Sequence, residues 1–81
     1  MGAEPQAVAR TVDVRGELCP RPIIETARAM REVEVGEVVL VISTDRGIES
    51  DMPAWCKATG HELLGLAHSG DVIEARVRRI R

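Results

Sequence analysis

With 81 residues and 11 basic against 13 acidic side chains, for a formal net charge of -2, the chain is sized for one two-layer domain. It has too little length for a second domain or a deep enclosed active site. Apolar residues make up 44% of it, yet Trp55 is its one aromatic, so Val, Ile, Leu, Ala and Met must build the core, and the stacking platforms of single-strand nucleic-acid binders are missing. The slight negative charge argues against a protein whose main task is nonspecific contact with phosphate backbones.

Residues 1–10 show no periodicity and contain Pro5, which predicts a flexible tail ahead of a single domain over 11–81. Apolar and polar residues alternate in Thr11-Val12-Asp13-Val14-Arg15, the pattern of a half-buried strand. Gly16-Glu17-Leu18 turns the chain into a helix over about 20–33, with Ile23, Ile24, Ala27 and Met30 on its inner face. Residues 37–44 are strongly apolar and rich in β-branched side chains, as a central strand is. A right-handed crossover then makes the two strands parallel neighbours or near neighbours.

A polar loop over 45–50 leads into a second helix capped by Ser50 or Asp51, with Pro53 in its first turn, Gly60 as its stop and Met52, Trp55, Cys56 and Thr59 facing inward. Strands over 61–67 and 71–80 flank Ser69-Gly70, a hairpin signal. In the last of them Ile73, Ala75 and Val77 would face the helices, with Glu74, Arg76 and Arg78 outside. The order βαβαββ predicts an α/β two-layer sandwich: a mixed four-stranded sheet with two helices on one face and the other face open.

The chemistry concentrates in Cys19-Pro20-Arg21-Pro22. A cysteine at a helix N-cap meets unpaired N–H groups and the positive end of the macrodipole, which favour thiolate over thiol. Pro20 at the first and Pro22 at the third helical position would cost few hydrogen bonds and would stiffen the turn. Arg21 either folds back toward the sulfur or is solvated. Asp13 either binds N–H groups around Gly16 or is the polar member of its strand, and Glu17 would oppose ionisation if close. His61 and His68 are the available general bases, without a local motif that ties either to Cys19. Two cysteines and two scattered histidines assemble no four-ligand zinc pattern. No apolar run is long enough to cross a membrane, and reduced thiols in the cytoplasm are the simplest reading.

The stretch Asp13-Val14-Arg15-Gly16-Glu17-Leu18-Cys19-Pro20-Arg21-Pro22 resembles the D-x-x-G-x-x-C-P-x-P signature of the TusA-like sulfur-carrier family. Asp51-Met52-Pro53-Ala54-Trp55-Cys56 with Gly60-His61-Glu62-Leu63 is similar to that family's second helix and following strand, so the likeness covers about residues 11–80. It implies a small cytoplasmic βαβαββ protein without metal or organic cofactor. In it the motif cysteine, here Cys19, takes sulfane sulfur from a cysteine desulfurase or rhodanese as a persulfide and passes it to an acceptor protein. Asp13, Gly16, Pro20, Arg21 and Pro22 are the supporting motif positions. Thiolation of tRNA, sulfur oxidation and selenium metabolism are destinations the family implies.

Two other classes compete. The same sandwich resembles the RNA-binding C-terminal domain of translation initiation factor three, which suggests an RNA- or protein-binding module, although composition speaks against direct nucleic-acid contact. A thiol redox protein would need Cys56 to approach Cys19, whereas the helical pattern makes Cys56 a small buried hydrophobe. A carrier that presents one thiol to successive partners suits a monomer.

Overall fold

A computed structural model describes residues 7–81; the first six residues of the expected tail lie outside them. Strands β1 (Val8–Val14), β2 (Val38–Ser43), β3 (Glu62–Ser69) and β4 (Val72–Arg78) form one sheet in the order β1-β2-β4-β3. Helices α1 (Arg21–Met30) and α2 (Ile48–Thr59) complete the βαβαββ order. β1 and β2 are parallel neighbours, and β4 runs antiparallel to both β2 and β3. The mixed sheet and two-helix layer agree with the architecture read from the sequence.

β1 starts at Val8 rather than Thr11, so residues 8–10 belong to the sheet and not to a tail. Val8 pairs with Val38 and Arg10 with Val39 across an irregularity in register, and β2 is long enough to offer these partners. Thr11, Val12, Asp13 and Val14 follow in register opposite Leu40, Val41, Ile42 and Ser43.

The core lies between the sheet and the helices. Val39 and Val41 from β2, Ala75 and Val77 from β4 and Met52 from α2 are fully buried. Ile73, Ala75 and Val77 point inward as their alternation requires. On the opposite face Leu40 and Ile42 stay half-buried in register with Arg76 and Glu74. Arg76 reaches Glu74 at 3.9 Å, and Arg78 reaches Glu62 at 3.1 Å.

α1 buries Met30 and packs Ile23 against the core as expected, but the rest of its inner face differs. Pro22, Thr26, Ala29 and Met30 are its buried residues, while Ile24 is 47% exposed. Thr26 can sit inside because its hydroxyl donates to the Pro22 carbonyl at 2.7 Å, which satisfies the one group that burial would penalise. The helix stops at Met30, where the Arg31 and Glu32 N–H groups bond three residues back to Arg28 and Ala29.

α2 begins earlier than expected, with Gly47 as N-cap and no side-chain cap. Ser50 and Asp51 therefore fall within its first turns. Pro53 lies inside the helix, where its missing N–H leaves the Glu49 carbonyl without an intrahelical donor. Gly60 ends the helix in a left-handed conformation, φ 85°, its N–H bonded to the Cys56 carbonyl at 2.8 Å. Among the described residues no helix is long and apolar enough to cross a membrane.

Met52→Ala should cost about 2–5 kcal/mol, the range for truncating a fully buried side chain. Ile24→Ala should stay within about 0.5 kcal/mol, as surface changes do. Urea unfolding of both variants checks the facing of the helices, and equal losses would contradict it.

Candidate functional site

β1 and β2 run in the same direction, so the loops that follow them emerge at one edge of the sheet. The first carries Cys19 and the second carries Thr44, Asp45 and Gly47. Two side chains of the second loop hold two amides of the first: Gly16 N–H donates to Thr44 Oγ1 at 2.8 Å, and Cys19 N–H donates to Asp45 Oδ2 at 2.9 Å. Gly16 adopts φ +84° with open space around it, so glycine is required there for its backbone freedom rather than for room.

The turn itself is built locally. Glu17 N–H bonds to the Val14 carbonyl at 3.1 Å and Arg21 N–H to the Leu18 carbonyl at 2.9 Å. Pro20 follows a cis Cys19–Pro20 peptide bond and is the N-cap of α1, with Arg21 first and Pro22 second in the helix. Cys19 thus stands one residue outside the cap position expected for it, and both prolines shift back by one place. The reason is the backbone of Pro20, whose φ −97° and ψ 13° leave it short of a helical residue.

Cys19 is exposed, and Leu18 beside it is 71% exposed. Cys19, Pro22, Ile23, Asp45, Ile48 and Asp51 meet around a narrow cleft too tight to hold a water molecule. Here the expected electrostatics reverse. Burial against this wall pushes the Cys19 thiol above its ordinary pKa, and hydrogen bonding to Asp51 and the negative charges of Asp51 and Asp45 push it further in the same direction. Desolvation and the carboxylates of Asp51 and Asp45 thus act against the partial positive charge of the helix terminus.

The remaining motif positions serve the turn more than the sulfur. Asp13 accepts the Arg15 N–H at 3.2 Å and holds the Arg15 guanidinium through both carboxylate oxygens, at 2.9 and 2.7 Å. The Arg15 side chain, then its backbone N–H, keep the Asp13 carboxyl below the usual carboxylate range. Arg21 does not fold back over the thiol; its Nε donates to Glu17 Oε1 at 2.9 Å. This exposed pair also occupies the carboxylate that could have opposed ionisation.

Neither histidine is hydrogen-bonded to Cys19. His61 packs on Trp55 with ring centroids 5.5 Å apart, and its Nδ1 accepts the Ile80 N–H at 3.2 Å. Burial, then the charges of Arg79 and Arg81, hold its pKa below the ordinary value. His68 Nε2 is bonded to Glu49 Oε2. Cys56 is buried on the inner face of α2, 3% exposed, and burial pushes its thiol up to about 11. No cluster that could hold a metal ion occurs among the described residues.

Sequence reasoning missed Asp45 and Asp51 as neighbours of the thiol, and Thr44 as a partner of the turn that carries it. Thr44 read as the last residue of the central strand, Asp45 and Gly47 as polar loop residues, and Asp51 as a cap. The available signal was their place immediately after a buried strand, since loops at the carboxyl ends of parallel strands converge.

Comparison with known proteins agrees with this arrangement. The sequence profile of the family described as "Sulfurtransferase TusA" matches residues 10–79. The chain is 37% identical over 70 residues to "Putative sulfur carrier protein YrkI" of Bacillus subtilis (strain 168), covering 86% of this chain and 93% of that one. It is 40% identical over 70 residues to a protein of Archaeoglobus fulgidus with the same description, covering 86% and 96%. A third relative, YrkF of Bacillus subtilis (strain 168), is 38% identical over 68 residues, and the matched region spans only 37% of its length. In fold, the crystal structure of a SirA-like protein from Desulfitobacterium hafniense superposes with a TM-score of 0.77 at 24% identity, over 89% of this chain and 99% of the other.

Removing a negative charge beside the sulfur must lower the thiol pKa and enlarge its thiolate fraction at neutral pH. Asp51→Asn in a Cys56→Ser background should therefore move the pH midpoint of Cys19 alkylation by iodoacetamide downward and raise the rate at pH 7. An unmoved midpoint, followed by mass spectrometry, would show that Asp51 does not restrain ionisation.

Proposed function

The chain belongs to the TusA sulfurtransferase family, and we propose from this that Cys19 is the residue on which it carries sulfur, as a persulfide. The observation that carries the proposal is the contrast between the two thiols: Cys19 stands exposed on a tip held by backbone hydrogen bonds, and Cys56 is closed into the core. In the loading step the Cys19 sulfur, giving up its proton, attacks the terminal sulfur of a donor protein's persulfide. A new S–S bond forms, the donor's S–S bond breaks, and the donor cysteine leaves as thiolate and takes up a proton. The product is Cys19–S–SH. In delivery an acceptor thiol attacks that terminal sulfur and Cys19 is restored.

A cysteine desulfurase or a rhodanese is the proposed donor, and a protein of tRNA thiolation or of another sulfur-transfer route the acceptor. The exposure of Cys19 and of Leu18 beside it leaves the sulfur reachable by such proteins in turn. Because Asp51 and Asp45 raise the pKa of the thiol, a partner that brings positive charge to them would favour its ionisation on encounter. Protonation at other times slows its oxidation, since the thiolate is the reactive form. A reducing cytoplasm, the compartment we propose, preserves it further.

The redox reading is disfavoured by the burial of Cys56 and its elevated pKa. The RNA-binding reading finds Arg76 and Arg78 of the open face near Glu74 and Glu62.

Incubation of the reduced protein with a cysteine desulfurase and cysteine, or a rhodanese and thiosulfate, should add one or more sulfur atoms to the intact mass. The gain should be reversed by a reductant, abolished in Cys19→Ser and retained in Cys56→Ser. Equal loading of Cys19→Ser would rule the assignment out.

A further inference from the structure

In Cys19-Pro20-Arg21-Pro22 the two prolines have no N–H, and the Arg21 N–H is used within the turn by the Leu18 carbonyl. The Cys19 N–H is therefore the amide of this segment through which another part of the protein grips it. The group that does so is Asp45, 26 residues away in sequence, whose Oδ2 accepts that N–H at 2.9 Å. Its Oδ1 accepts the N–H of Gly47, the N-cap of α2, at 3.0 Å. The Asp45 backbone is itself fixed, because its N–H donates at 3.0 Å to the hydroxyl of the fully buried Ser43.

We propose that Asp45 is a positioning residue for sulfur transfer, a single carboxylate that clamps the Cys19 backbone to the start of α2 and refers the sulfur's position to the core strand β2. Gly47 leaves room for the clamp. A Cβ there would lie 3.3 Å from Asp45 Oδ1 and 3.5 Å from Asp51 Oδ2, although its backbone conformation suits any residue. The inference rests on Cys19 as the carrier residue. Sulfur passes directly between two proteins only when nucleophile, sulfane sulfur and leaving sulfur align, so a loosened tip slows transfer even when the thiol itself is unchanged.

The test compares Asp45→Ala with Asp45→Asn, which loses the charge but keeps one accepting oxygen. Two readouts are needed. Hydrogen exchange of the Cys19 amide by NMR, with β2 amides as reference for global opening, should accelerate about tenfold in Asp45→Ala, the effect of losing one hydrogen bond to a charged group. The second is the rate of sulfur loading from a cysteine desulfurase divided by the rate of iodoacetamide alkylation, a ratio in which altered thiol ionisation cancels. It should fall about tenfold in Asp45→Ala, as misplacement of a reacting group produces, and by less in Asp45→Asn. If Asp45→Ala does not fold, Asp45→Asn carries the same comparison against wild type. Unchanged Cys19 exchange, or an unchanged ratio despite faster exchange, overturns the proposal. Wild-type protein that gains no sulfur sinks the carrier reading and the transfer role with it, while the exchange data still decide whether Asp45 holds the cysteine.

Discussion

The parallel pairing of β1 with β2 is the constraint from which the rest of the site follows. Parallel strands need a crossover, and α1 supplies it across one face of the sheet. Both strands then end at the same edge, and the loops that leave them lie side by side. Thr44 and Asp45 can reach the amides of Gly16 and Cys19 only because of that direction. An antiparallel arrangement of the same two strands would have put these loops at opposite ends. The valines of β2, buried between the helices and its neighbours, hold the pairing in place.

At the tip two electrostatic influences compete. The start of α1 offers the thiolate partial positive charge, an effect of about 0.3–1 kcal/mol near a surface. Against it stand desolvation and the carboxylates of Asp51 and Asp45, which together raise the pKa of the thiol. Asp51 is itself well placed at the start of α2, since it and Glu49 complement that helix's dipole. The Asp51 charge that suits α2 therefore also restrains the cysteine mounted on α1. Such a thiol is quiet alone and responsive to its electrostatic surroundings, which accords with chemistry performed in the company of partners.

Much of the framework was legible because its signals are local. The β-branched run of β2, the alternation in β4 and Gly60 after a helical stretch all report on neighbours within a few residues. Element ends were less legible. β1 gained residues 8–10 because β2 offers them partners, and α2 gained a turn because Asp45 organises the amides around Gly47 without a conventional side-chain cap. The face of α1 was legible in part: Ile23 and Met30 turn to the core, but Thr26 is buried by bonding to its own helix, and Ile24 is left outside.

From the sequence alone came the βαβαββ order, the inward residues of β4, the burial of Cys56 and the choice of Cys19 as the residue of interest, all of them consequences of short-range pattern or of a contiguous motif. The tertiary structure decided the environment of that cysteine. Asp45 and Asp51 lie 26 and 32 positions along the chain from it, and no periodicity links them to Cys19. Charge acts through space, so the upward pull on the thiol's pKa and the grip on its backbone arose only when folding brought the two loops to one edge.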